Sequence, residues 1–268
     1  MARDLIYRYD GSFEGLLCCV FESYARREIP SGILSPAADQ TTLLPEREIE
    51  TDPEKAARVL RSVPRRLGPR AAGFLRRAYL TCLAEKEKRI LLFLRLGYRK
   101  GPAVMEMLAD PAVNALWKAV NFLERETHLL EGFLRFSDFG GALAAEIEPK
   151  NFVLPLLAPH FCARLPEEKF LILDRTHGMA AVYRPRELSV IPADGLGLPD
   201  PDEREFRARE LWRLYYRTAE VRGRHNPVCR QSHLPKRYWR CMTEFCADLR
   251  AEPAPPGIRS GVGLIGGS

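Results

Sequence analysis

Six side chains in the middle of the chain carry groups that could move a proton or hold a phosphate: His128, Arg135, His160, Arg164, Asp174 and His177. Imidazoles titrate near neutral pH and can pass a proton. A carboxylate can orient one, and arginines can stabilise negative charge developing on a phosphodiester or a base. His160, Arg164, Asp174 and Arg135 are the candidate catalytic set on that reading. The alternative is that these are ordinary structural residues, and spacing alone does not bring them together.

A second constellation lies nearer the C-terminus. Arg222, Arg224, Asn226, Arg230, Lys236, Arg237 and Arg240 are interleaved with Gln231, His233, Tyr238 and Trp239. Arginines grip phosphates through paired N–H donors, and aromatic rings stack on exposed bases, so this is the candidate nucleic-acid-binding segment. Pro235 can open a helix, and cations in a first helical turn are unfavourable unless an external anion meets them. The expectation is that Arg224, Arg230, Lys236 and Arg237 face a ligand while Trp239 packs in the core. The other reading has both aromatics in the core and the cations in water.

Charge is segregated along the chain. Residues 55–100 carry 14 basic and 2 acidic side chains, and residues 204–240 carry 11 and 3, while the remainder is acidic. Arg58, Arg61, Arg65, Arg66, Arg70, Arg76 and Arg77 follow one another without an intervening acid. Like charges at helical spacing repel. A bound phosphate backbone would relieve that, and so would acidic residues elsewhere in the chain or on a partner. The seven cysteines form no C-x-x-C pair, and the pairs Cys229/His233 and Cys241/Cys246 match no common zinc spacing, so thiols and no metal are expected. No strand is followed by a glycine-rich phosphate loop, and no cofactor is expected. With no long apolar run and no signal-peptide pattern, the cytoplasm is the expected compartment.

These groups need elements to hold them. A short strand at 5–9 precedes an amphipathic helix over 13–25, and 29–50 reads as a long loop. Thr51-Asp52-Pro53-Glu54 looks like a capping box opening a helix to about residue 61. A longer helical stretch follows over 70–96, and Asp110-Pro111 starts another. Segments 132–138 with 142–148, and 169–174 with 179–183, read as two hairpins joined in one sheet, with a helix at 151–163 between them. A linker over 185–201 leads to a helix at 203–222, anchored by Phe206, Leu211, Trp212, Leu214 and Tyr215, and another over 236–249. The expected fold is α+β, mostly helical, with a small antiparallel sheet built from two hairpins. It forms a single domain over residues 1–250 (helical 10–130, hairpins 131–185, helical 203–249), and the Pro/Gly/Ser-rich 251–268 is a disordered, dispensable tail.

Five blocks together resemble a family of probable DNA metabolism proteins, itself a domain of unknown function. They are Tyr9-Asp10-Gly11-Ser12-Phe13-Glu14-Gly15-Leu16-Leu17 with Val20-Phe21-Glu22-Ser23-Tyr24; His128 with Gly132-Phe133-Leu134-Arg135-Phe136; Ile147-Glu148-Pro149-Lys150 with His160-Phe161 and Arg164; Leu171-Ile172-Leu173-Asp174; and Leu211-Trp212, Tyr215-Tyr216, Asn226-Pro227 and Pro235-Lys236-Arg237-Tyr238-Trp239. Their order and spacing agree over about residues 5–248. The resemblance implies a setting beside a radical SAM protein of DNA modification or repair, and in some members fusion to a uracil-DNA-glycosylase-like domain, which is not expected to form from the residues past 250. The expected function is therefore a nucleic-acid-binding accessory protein with DNA and a radical SAM protein as partners. The rivals are an enzyme acting on DNA or a damaged base, and an adaptor that binds proteins only.

Overall fold

A computed structural model describes residues 2–36, 42–219 and 226–246. The first strand, β1 (Ala2–Arg8), buries Leu5, Ile6 and Tyr7. Directly after it the Asp10 carboxylate accepts hydrogen bonds from Ser12 N–H (2.9 Å), Ser12 Oγ (2.7 Å) and Thr51 Oγ1 (2.8 Å). Ser12 Oγ in turn accepts from Gly15 N–H at 2.9 Å and caps α1 (Phe13–Ala25). A Cβ on Gly15 would collide with Asp10 Oδ1, so the close approach of helix and turn requires glycine there.

The expected loop over 29–50 contains two strands. β2 (Ile29–Leu34) and β3 (Glu46–Glu48) pair with β1 on either side, both parallel to it, giving the order β2-β1-β3. Neither has the strict alternation that marks a strand in sequence: β2 contains Pro30 and Gly32, and β3 is only three residues long.

Asp52, rather than Thr51, caps α2 (Pro53–Leu67), accepting from Glu54 and Lys55 N–H. The helix runs through Pro64 because Val63 and Leu67, on either side of it, are both buried. The stretch expected as one helix is two, α3 (Pro69–Leu80) and α4 (Lys86–Lys100). The break at 81–85 is held from outside: Cys82 N–H donates to Asn151 Oδ1, and Phe152 N–H donates to Leu80 O. A 3-10 turn (Gly101–Glu106) leads to α5 (Pro111–Phe133), capped by Asp110 with proline at its start.

The small antiparallel sheet of two hairpins is not what forms. The second sheet has five strands in the order β4 (Ser137–Asp138), β5 (Leu143–Ile147), β6 (Phe170–Asp174), β7 (Met179–Arg184) and β8 (Glu187–Pro192). It is mixed, because β5 and β6 are parallel. Between them α6 (Leu154–Arg164) carries the chain back to the end where β5 began, so β6 enters in the same direction. The unbroken apolar run at 170–173 is the signature of such an inner strand. β8 falls where a linker was expected; all six of its residues are exposed, so no buried face marked it.

The chain ends its described course with α7 (Glu203–Ala219), α8 (Pro227–His233) and a 3-10 turn (Lys236–Cys241), where an α-helix over 236–249 was expected. No residue of α7 is buried: Leu211, Trp212, Leu214 and Tyr215 are exposed, not anchors. The disordered tail expected at 251–268 lies outside the described residues. No helix among the described residues is long and apolar enough to cross a membrane.

Two hydrophobic cores result, and α5 serves both. Its Val113, Leu116 and Val120 join β1 and α1–α4; its Leu123 and Leu130 join β5–β7 and α6.

Candidate nucleic-acid interface

At the β6–β7 turn, Asp174 is wholly buried and its Oδ1 accepts from Thr176 N–H (3.0 Å) and His177 N–H (3.2 Å). Its Oδ2 lies 2.7 Å from His177 Nδ1, and the imidazole rests against the Phe152 ring. The pair is thus a turn clamp within one hairpin. His128 stands on the surface of α5 beside Glu131, its side chain 84% exposed.

The structure does bring Arg135 and Arg164 together. Both line a cavity of about 630 Å³ between the ends of α5 and α6 and the flank of α7, with Arg209, Trp212, Phe136 and Phe161. Neither His160 nor Asp174 lines it. His160 sits edge-on to Phe161 with a buried Nε2 that finds no partner among the described residues. Two of the three arginines are already engaged: Arg135 bonds Glu244 at 2.9 Å beneath the Trp212 ring, and Arg209 bonds Glu205 at 2.9 Å. Arg164 has no ion pair among the described residues. The cavity can therefore hold a planar group and one anionic group, but the four candidate catalytic residues do not converge in it.

In the C-terminal segment Arg222 and Arg224 lie outside the described residues. Asn226 caps α8, accepting from Cys229 N–H. Arg230 lies over Phe245 and Lys236 over Trp239. Arg237 reaches the buried Glu126 (3.4 Å), and Arg240 makes two 2.9 Å bonds to Glu148. Tyr238 is the buried aromatic of the pair; Trp239 is half-buried, stacked on Phe245 at 4.7 Å. Both arginines thus have carboxylate partners within the chain, Arg237 a buried one and Arg240 one at the surface, while their own side chains stay exposed. Glu126 was overlooked, although it stands three residues after Leu123 and four before Leu130, on the buried stripe of α5. A carboxylate at such a position was the available signal. Among the described residues no three His, Cys, Asp or Glu side chains are grouped as a metal site would require.

The arginines of α2 and α3 are in a different state. In 55–77, among the described residues, only Lys55 and Arg77 reach a carboxylate, Glu22 at 2.9 Å and Glu124 at 3.3 Å. Arg58, Arg61, Arg65, Arg66, Arg70 and Arg76 are all exposed, outside the buried stripe of Ala56, Val59, Val63, Leu67, Ala71, Phe74 and Leu75. Among the described residues no internal acid reaches these six.

A family model described as a domain of unknown function, DUF4130, matches residues 84–244. The match spans α4 to the last 3-10 turn and begins inside the first core, which β1 and α1–α3 complete. No curated protein matches the chain.

Proposed function

We propose, from the premise that the chain belongs to the DUF4130 family, that it is a nucleic-acid-binding accessory protein of DNA repair or modification, working beside a radical SAM partner. One observation carries the reading: six exposed arginines on α2 and α3 have no carboxylate partner among the described residues. A helix that repeats one charge without counter-charge loses stability, and a polyanion restores it. The DNA setting and the radical SAM partner rest on the sequence resemblance alone. The exposed Leu211, Leu214 and Tyr215 of α7, spaced three and four apart on one helix face, favour a protein partner as well. Enzymatic processing is the weaker reading, because His160 and Asp174 stand apart from the cavity that collects Arg135 and Arg164.

The test is charge reversal. Fluorescence anisotropy with labelled DNA at low salt should show binding to the native protein. The double variant Arg61→Glu/Arg65→Glu should weaken it by at least ~100-fold while thermal unfolding stays near native. No binding at low salt, or equal binding by the variant, overturns the proposal.

A further inference from the structure

We propose that the groove flanked by α1, α2 and α4 is a base-stacking subsite, and that it makes the arginine face a binder of single strands; this rests on the nucleic-acid reading above. A cleft of about 500 Å³ lies beside α1 and α2, with the rings of Phe21, Tyr24 and Tyr98 and the side chains of Arg58 and Arg66. A smaller cleft of about 240 Å³ shares Tyr24 and adds Arg95 and Arg99 of α4. Tyr24 therefore stands between two clefts with a pair of arginines on each side. Among the described residues no carboxylate lines either one.

The rings are held in place before any ligand arrives. Arg95 places its guanidinium 4.7 Å from the centre of the Tyr24 ring and donates to Ser23 Oγ at 3.0 Å. Tyr98 meets Tyr24 edge-on at 5.6 Å, and its hydroxyl is fixed by Ser62 Oγ at 2.6 Å. Phe21 lies under Lys55 and Arg58. Tyr24 nevertheless remains 41% exposed. A fixed, accessible Tyr24 ring flanked by arginines without a carboxylate partner among the described residues matches a ligand with alternating planar and anionic groups. Nucleotides in a strand have that pattern, and a base offers its face only when it is unstacked. A duplex could use the arginines but not the rings.

The experiment measures Kd for a labelled thymidine oligonucleotide and for a duplex of equal length, with native protein, Tyr24→Ala, Tyr24→Phe and Arg61→Glu/Arg65→Glu. Thermal melting confirms the fold of each. Native protein should bind the single strand at least ~10-fold more tightly. Tyr24→Ala should lose roughly tenfold on the single strand, as removal of one stacking ring does, and little on the duplex. Tyr24→Phe should stay within about twofold of native. Equal affinity for both forms, or a single-strand affinity indifferent to Tyr24→Ala, overturns the subsite. If both forms still depend on Arg61 and Arg65, the nucleic-acid reading survives that result; no binding of either form ends both. A polyglutamate competitor that displaces the oligonucleotide at equal charge concentration would also overturn the subsite, in favour of an acidic peptide.

Discussion

Glu126 is a carboxylate without solvent exposure on the mainly aliphatic buried face of α5, and its environment explains it. It accepts from Asn151 N–H at 2.9 Å, Asn151 Nδ2 at 2.7 Å and Lys150 N–H at 3.2 Å, and Arg237 lies 3.4 Å away. Asn151 passes the connection on to Cys82, so one side chain ties α5 to the turn after β5 and the break between α3 and α4. Glu126→Ala would leave buried donors and a cation without a partner and should cost about 3 kcal/mol in chemical denaturation. A loss within ordinary surface values would show that water replaces it. Thiol reactivity is the second outcome at this scale. Burial pushes the Cys241 thiol up to about 11 and Cys19 higher still, so both stay protonated at neutral pH. Iodoacetamide with mass-spectrometric mapping should label the exposed Cys82, Cys229 and Cys246 first and Cys18, Cys19 and Cys241 only on unfolding. Early labelling of Cys241 would mean that the last 3-10 turn detaches.

Helix α2 puts stability and binding in opposition. Arg61 and Arg65 are one turn apart, exposed, and without a carboxylate partner among the described residues. Arg61→Gln/Arg65→Gln should therefore leave the protein as stable as before or raise stability by about 0.3 kcal/mol at low ionic strength, while weakening DNA binding. A drop in melting temperature would show that these arginines are paired after all. Gly15→Ala acts in the other direction: its methyl group would displace Asp10 from Ser12 and Thr51, and the melting temperature should fall clearly. The helices were legible in sequence because their apolar spacing and caps, such as Asp110-Pro111, are local. The sheets were legible only in part. Strands β6 and β7 stood out, but the partner of β5 is set by the α6 crossover, and β2, β3 and β8 lack a one-sided buried pattern. The apolar spacing of α7 was read as a buried face, whereas Leu211, Leu214 and Tyr215 point outward.

Over the whole molecule, the segregated charge seen in the sequence separates into two kinds of basic region. The C-terminal cations Arg237 and Arg240 are partnered by Glu126 and Glu148, the first pair tying that segment to the buried side of α5 and the second lying at the surface. Arg58, Arg61, Arg65, Arg66, Arg70 and Arg76 of α2 and α3 have no such partners among the described residues, and they lie on the first core beside the aromatic groove. Composition could not distinguish these cases, because the partners come from distant parts of the chain: Glu148 and Arg240 are 92 positions apart. The central claim is that the arginine face is an electrostatic footprint for nucleic acid. The most direct measurement is the dependence of log Kobs on log salt for a single-stranded oligonucleotide. If Arg58, Arg61, Arg65 and Arg66 each neutralise a phosphate, the slope should be roughly −3, and Arg61→Gln/Arg65→Gln should halve it. A slope near zero, or one that the double variant leaves unchanged, would contradict the account.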